Sequence, residues 1–414
     1  MEMPHLPKGH FVLGNLPAWS RDTLAFMLNI RRYGDLVSAK FGPYPIYFAN
    51  HPDLFHEIFV ANPDHYEKSF ATKEVLRPNL GNGLFTSDGE FWKRQRKLMQ
   101  PAFHTKRIAA YADVMVNYAL SLTEKWQTGQ TLPIDHEMVN LTMHIVTKSL
   151  FDLEMGHNAD EVGAAVTRIL EIINVRFNRL KRLPEWMPTR ENRDLRNAIA
   201  KIDALIQQFI DERRRTGRDN GDLLSMMLLA QDDDGSGMTD KQVRDEAMTL
   251  FAAGHETTAV ALTWTWYLLS QHPEVEAQML EEMQSVLGGR LPTFADLPNL
   301  KYTEMIIKES MRLYPPAWVT SRQVATDDVT LGGYPVDKWV SVVINIFGVH
   351  RDGRFFPEPE KFDPERFSPE NEKNIHKYAY MPFGAGPRVC IGNAFAMMEA
   401  KLVLATIAPR FSLR

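Results

Sequence analysis

Apolar residues return every three to four positions along most of this chain, the spacing that lines one face of an α-helix. The pattern predicts helices over about 104–127, 136–153, 159–182, 191–215, 239–271, 273–287 and 300–313. Near the start the period shortens to two. Leu36–Phe41 and Pro45–Ala49 flank Gly42-Pro43 and predict a β-hairpin. A second strand-rich patch covers about 318–343, with Gly332-Gly333 as a turn. From Phe355 to Tyr380 proline and charge are frequent and the periodicity is lost. No repeat and no Ser/Gly/Pro-rich linker divides the chain. A length that would otherwise suggest two or three domains therefore predicts one, residues 1–414. The expected fold class is mainly α, with a small β-rich lobe built from about 32–60 and 318–343.

Thr239 to Gln271 is the longest periodic stretch, about 50 Å as a helix and enough to cross the whole domain. Thr239 and Gln242 have the spacing of a capping box, and Pro273 stops the helix. Its middle reads Ala253-Gly254-His255-Glu256-Thr257-Thr258, a glycine and a polar cluster where bulky apolar residues would pack best. Glycine there costs about 1 kcal/mol relative to alanine, and buried polar groups cost more unless paired. Thr257 lies four residues after Ala253, so its hydroxyl can bond the carbonyl of the preceding turn and loosen the helix locally. One outcome is a groove for a small ligand and a water against the backbone. The other is a threonine that merely back-bonds in a buried helix.

Composition narrows the choice. The 414 residues are 44% hydrophobic, enough for a sizeable core, and 24% charged. A net charge of −5 argues against nucleic-acid binding. No run approaches the ~18 apolar residues that span a bilayer, and Met1–Pro7 does not read as a signal peptide, so a soluble, cytoplasmic protein is expected. Cysteine occurs once. Cys390 can neither close an intrachain disulfide nor form a CxxC site, which leaves core filler, nucleophile or single thiolate ligand. It stands in Phe383-Gly384-Ala385-Gly386-Pro387-Arg388-Val389-Cys390-Ile391-Gly392, a loop that opens the last helix. The glycines let the backbone pass close under a flat ligand and turn N–H groups toward the sulfur. Together with the helix N-terminus, these are expected to favour the thiolate. Arg388 is placed to meet an anionic group at the edge of the same ligand.

The pattern FxxGxRxCxG resembles the haem-binding signature of the cytochromes P-450, the haem-thiolate monooxygenases. The resemblance implies that Cys390 is the axial ligand of haem b iron, with Phe383 on the sulfur side and Gly392 beside it. AGHETT is similar to the family's oxygen-activation motif. That implies that Ala253 and Gly254 border the haem, that Thr257 holds the water that protonates dioxygen and that Glu256 relays protons, with His255 structural or a relay. Glu309 and Arg312 precede Leu313-Tyr314-Pro315-Pro316, and Arg366 lies in Pro364-Glu365-Arg366-Phe367. These match the family's buried structural triad, although an i,i+3 Glu/Arg pair alone is ordinary helix-surface chemistry. Trp92 and Arg96 (WxxxR), Arg322 and Arg388 are implied to meet the haem carboxylates. Phe85, Ala317, Trp318, Val319 and Thr320 are implied to line an apolar pocket. The family's C-terminal strand pair is expected beyond the last helix and is missing from a chain that ends at Arg414.

The implied activity puts one atom of dioxygen into an apolar small molecule, by hydroxylation or epoxidation. Fatty acids, terpenoids and drug-like molecules all fit. No flavin or nicotinamide fingerprint occurs, so NAD(P)H would act only through an external ferredoxin or flavoprotein. Lys93, Arg94 and Lys97, followed by Lys106 and Arg107, form an outward basic face where an acidic donor would dock; a solvated surface is the plain alternative. A monomer of the bacterial type is expected. A haem-thiolate peroxygenase or isomerase is the rival reading, disfavoured by the acid–alcohol pair Glu256–Thr257. A non-enzymatic haem sensor is weaker still.

Overall fold

The computed structural model describes residues 3–152, 157–177, 186–217 and 219–414. The long helices form where the apolar period places them: Ile134–Phe151, His157–Phe177, Arg190–Thr216, Asp240–Gln271, Pro273–Leu287 and Lys301–Leu313. Positions 153 and 178–182 of two expected spans lie outside the described residues. The helix expected over 104–127 is divided into Thr105–Ile108, a 3-10 turn at Ala109–Tyr111 and Ala112–Thr123. Ile108, Tyr111, Ala112 and Met115 still enter one core, as their i, i+3, i+4, i+7 spacing requires. Leu16–Arg21, Thr23–Ile30, Leu223–Leu229 and Ile346–His350 are further helices, too short to show a period in the sequence.

Among the described residues seven strands make the smaller lobe: β1 (Leu36–Phe41), β2 (Tyr44–Ala49), β3 (Tyr66–Lys68), β4 (Thr320–Val324), β5 (Val329–Leu331), β6 (Tyr334–Val336) and β7 (Ser341–Ile344). The main sheet runs β1-β2-β7-β4-β3, while β5 and β6 pair separately around Gly332-Gly333. β1 and β2 are the expected hairpin, antiparallel with Leu36 opposite Ala49. β7 then lies parallel to β2, Ile46 opposite Ser341, and so ties the start of the chain to its last third. β3 was not expected, because three residues carry too little alternation to be read. Its register sets Lys68 opposite Arg322, two cations side by side.

The Asp240–Gln271 helix carries its capping box, Thr239 Oγ1 accepting from Gln242 N at 3.2 Å and Gln242 Oε1 from Thr239 N at 2.8 Å. The helix runs unbroken from Asp240 to Gln271, and the expected back-bond from Thr257 to Ala253 O forms within it. Thr257, Thr258, Thr263 and Thr265 each donate to the carbonyl four residues earlier while the α-helical ladder continues. Gly254 has a packing reason: a Cβ there would stand 2.9 Å from Val146 Cγ2. The Ile134–Phe151 helix crosses closely at this point and Thr142 Oγ1 donates to His255 O at 2.9 Å. Among the described residues no helix is long and apolar enough to cross a membrane.

Candidate active site

The cysteine loop is shaped by backbone demands that only glycine meets. Gly384 and Gly386 have φ of +73° and +66°, and a Cβ on Gly386 would collide with the Phe59 carbonyl. Cys390 N donates to Phe383 O at 2.9 Å, closing the loop on itself. Arg96 reaches in from the Gly89–Met99 helix, Nη1 donating to Val389 O at 2.9 Å. Cys390 is accessible and yet crowded enough by protein that burial pushes its thiol up, against the opposing pull of the Gly392 N–H and the Arg96 charge. The sulfur is thus reachable yet closely surrounded by protein. The crowding also corrects the sequence expectation: the donors are present, but burial outweighs them. A thiolate here needs a further positive charge, such as a metal ion, at the sulfur.

Cations gather beside the loop. Arg388 stacks over the Trp92 ring at 4.0 Å, donates to Ser87 O at 2.8 Å and pairs with Asp88 at 2.9 Å. Arg322 lies over the Phe59 ring at 4.8 Å, and burial, with Arg388 nearby, lowers it to about 10. Lys68, buried and 5.0 Å over the Phe85 ring, is lowered by burial first and then by Arg322 and Arg388. Among the described residues only Asp88 counters this mutual repulsion. Two buried cations, the partly buried Arg388 and one carboxylate leave the site short of negative charge, the complement of a dianionic ligand. Lys68 was not found from the sequence, because only the β3–β4 pairing brings it to Arg322.

The long helix shares both of its apolar clusters with the cysteine loop. Ile391 packs on the cluster that includes Leu250 and Phe251, while Phe383 packs on the one that includes Ala259 and Leu262. The two ends of the loop therefore pack on the two clusters to which the long helix contributes. Ala253, Glu256 and Thr257 are accessible in the centre of the helix. Thr257 Oγ1 donates to Ala253 O at 2.6 Å, and burial of its surroundings raises the Glu256 carboxyl. His255 is buried with Nδ1 2.9 Å from Phe251 O and is lowered by burial, a structural residue. Asp245 and Glu246, one and a half to two turns before Ala252, were missed. Their carboxylates accept from Asn82 N and Leu84 N, both at 2.9 Å, and so hold the loop that carries the exposed Phe85. Of the other expected pocket residues, Ala317 is exposed and Thr320 begins β4. Trp318 and Val319 are shared with the aromatic cluster of Trp19, Phe26, Phe41 and Phe48.

The expected triad is brought together. Glu309 and Arg312 are both fully buried and bidentate at 2.6 and 2.7 Å. Arg312 also donates to the carbonyls of His350, Pro359 and Lys361 at 2.8, 2.7 and 3.1 Å. Arg366 contributes charge without a hydrogen bond from its Nε, which stands 3.4 Å from Glu309 Oε1. His350 was missed: Met381 N donates to its Nε2 at 3.1 Å, so Nδ1 holds the proton and donates to Arg312 O at 3.2 Å. Burial first, then Arg312, lowers this histidine to about 3.

The outward basic face needs correction. Lys93 pairs with Glu90 at 2.8 Å, Lys97 with Asp232 and Asp233 at 2.9 and 2.6 Å, and Arg94 with Asp232 at 3.2 Å. Carboxylates of the same chain already answer its charge.

The residues around Cys390 fit haem b: a lone accessible thiol for iron and cations in excess for two carboxylates. The comparisons agree. The cytochrome P450 family profile matches residues 4–414. The chain is similar to cyclooctatin synthase of Streptomyces melanosporofaciens, 39% identical over 411 residues, 99% of this chain and 89% of that protein. It is 38% identical over 405 residues to cyclooctat-9-en-7-ol 5-monooxygenase of the same organism, 97% of this chain and 88% of that protein. It is 33% identical over 410 residues to pentalenene oxygenase of Streptomyces avermitilis, 96% of this chain and 90% of that protein. This chain belongs to the cytochrome P450 family, and it is a haem-thiolate monooxygenase that takes electrons from a redox partner and acts on apolar small molecules.

Proposed function

We propose that this P450 hydroxylates a terpenoid, with Cys390 as the axial thiolate and Glu256 and Thr257 as the proton-handling pair. The observation that carries the site assignment is the accessible Cys390 next to an excess of buried cations. Support for the substrate class comes from relatives whose names carry cyclooctat-9-en-7-ol and pentalenene. Trp92, Arg96, Arg322, Arg388 and the newly found Lys68 would hold the haem carboxylates, while Phe383, Gly392, Ala253 and Gly254 would border the ring. Bound haem b supplies the stepwise reduction and cleavage of dioxygen, so that RH, O₂, two electrons and two protons give ROH and water.

The protein's own part is to place protons and exclude water. Thr257 commits its only hydroxyl proton to Ala253 O, so toward any other partner its oxygen can act only as an acceptor. A water that donates one proton to Thr257 Oγ1 is turned to deliver its other proton to dioxygen under reduction. Glu256, raised by burial and one residue away, is suited to reload that water. Phe85, Ala317, Trp318, Val319 and Thr320 form the apolar wall. Glu309, Arg312 and Arg366 hold the segment that leads to Cys390. The same acid–alcohol pair disfavours the peroxygenase or isomerase reading, which needs no relay of protons. We place the chain as a cytoplasmic monomer, one domain throughout, that receives electrons from a ferredoxin or flavoprotein docking beside Lys93 and Lys97.

The test is spectroscopic first. The reduced protein under carbon monoxide should show the red-shifted thiolate band, and Cys390→Ala should lose that band and all turnover while its far-ultraviolet circular dichroism stays unchanged. A thiolate band in the mutant would sink the ligand assignment. Pentalenene and cyclooctat-9-en-7-ol should perturb the haem spectrum and yield hydroxylated products. A fatty acid doing so while neither of these does would overturn the substrate class.

A further inference from the structure

The Gly89–Met99 helix faces two ways. Arg96 points inward to Val389 O, one residue from the cysteine. Lys93 and Lys97 point outward, each with a side chain 54% exposed. A donor docked on the outer face would therefore have a short path to the sulfur. That face is already occupied. Residues 231–237 fold into a compact turn, Asp232 N donating to Ser236 O and Gly235 N to Asp232 O, both at 2.9 Å, with Gly235 at φ +78°. Asp232 takes both Arg94 and Lys97, and Asp233, its side chain 90% exposed, takes Lys97 again. Arg94 also donates to Ser236 Oγ at 2.9 Å and to Gly237 O at 3.1 Å, so the turn stays seated even without the aspartate charges.

We propose that the Asp232–Asp233 turn is a built-in competitor for an acidic electron donor: it covers the cations of the docking helix and must yield when the donor binds. This rests on the reading that the donor docks at that helix. Three cations there, Lys93, Arg94 and Lys97, are matched by three carboxylates, Glu90, Asp232 and Asp233, so the face as it stands offers an acidic protein little net charge. Lys106 and Arg107 beside it are exposed and have no ion pair among the described residues, which leaves them to make the first encounter. Exposed pairs of this kind are worth about 0–1 kcal/mol each. That is enough to discourage weakly charged proteins and little enough for a strongly acidic donor to displace. The turn thus sets a charge threshold for the partner.

The experiment uses the haem-loaded protein and an acidic plant-type [2Fe–2S] ferredoxin as probe, with affinity read by titration calorimetry at low and high salt. Asp232→Asn/Asp233→Asn should bind the ferredoxin about 5–20-fold more tightly at low salt, with the gain lost near 0.5 M salt. Lys93→Glu/Lys97→Glu should weaken binding in both the parent and the Asn background. No gain from the Asn changes, with charge reversal still weakening binding, overturns the competitor and leaves the docking face standing. Charge reversal that alters binding in neither background removes the docking face, and the competitor with it.

Discussion

The frame of the cysteine loop and the middle of the long helix form two walls built on opposite principles. On the cysteine side the central ion pair is saturated: Glu309 and Arg312 are fully buried, and Arg312 makes five hydrogen bonds. His350 ties the same helix to Met381. On the side of the long helix polar capacity is held back. Glu246 Oε1 and Thr249 Oγ1 are buried with no hydrogen-bond partner among the described residues, and Glu256 and Thr257 are accessible. The difference follows from what each wall must do. A metal ligand has to be held within a fraction of an ångström, which calls for a satisfied network. Water, oxygen and substrate have to come and go, which calls for groups free to change partners.

Breaking the satisfied wall should cost most. Glu309→Gln leaves two guanidiniums without a shared counter-charge, and a broken buried pair of this kind costs about 3–5 kcal/mol. Urea unfolding and haem content should both report the loss. Normal values would mean that the frame tolerates an uncompensated Arg312, and the contrast between the walls would fail.

The intermediate effect separates the walls by pH. Burial pushes the Glu246 carboxyl up from 4.5 to about 7, the Leu84 N–H pulls it partly back and Asp245 raises it again. The folded state then holds more protons than the unfolded one between about pH 4.5 and 7, so this group's contribution to stability falls as pH rises through that window, by about 1.4 kcal/mol per unit. His350 runs the other way: lowered from 6.5 to about 3, it is neutral when folded, and its contribution is lost as pH falls from 6.5 toward 3. Glu246→Gln should therefore gain on the parent protein by roughly 2–4 kcal/mol between pH 5 and 8, measured by denaturant unfolding at each pH. A constant difference across that range would show that Glu246 is ionised without penalty.

Thr257→Ala should be the mildest change for the fold and the most selective for the chemistry. Its hydroxyl makes one back-bond on an accessible helix face, so stability should move by no more than about 1 kcal/mol. Haem, substrate and oxygen should still bind and reducing equivalents should still be consumed. Product formed per nicotinamide oxidised should fall, with hydrogen peroxide rising in compensation, because the water that Thr257 orders has lost its acceptor. Unchanged coupling with a reconstituted donor would reduce Thr257 to a helix back-bond.

Much of this was legible because it is local. The Phe383–Gly392 loop needs glycines at φ values that side chains resist, and such a demand is written at the residue itself. The capping box at Thr239, the helix period from Asp240 to Gln271 and the hairpin at Gly42-Pro43 are likewise set within a few positions. Arg312 and Arg366 were paired with Glu309 only because the motif was familiar; their spacing alone describes a surface pair.

The sequence by itself determined a mainly helical chain, a single cysteine in a glycine-shaped loop and a polar break in its longest helix, since each depends on near neighbours. Only the tertiary structure decided what meets across distance. It set Lys68 beside Arg322, Asp245 and Glu246 under the Phe85 loop, Gly254 against Val146, His350 between Arg312 and Met381, and the Asp232 turn over Lys97. Lys97 and Asp232 are 135 positions apart. Nothing in a periodic pattern states where a chain returns after that many residues, and whether a charge is a free surface cation or a covered one depends on that return path alone.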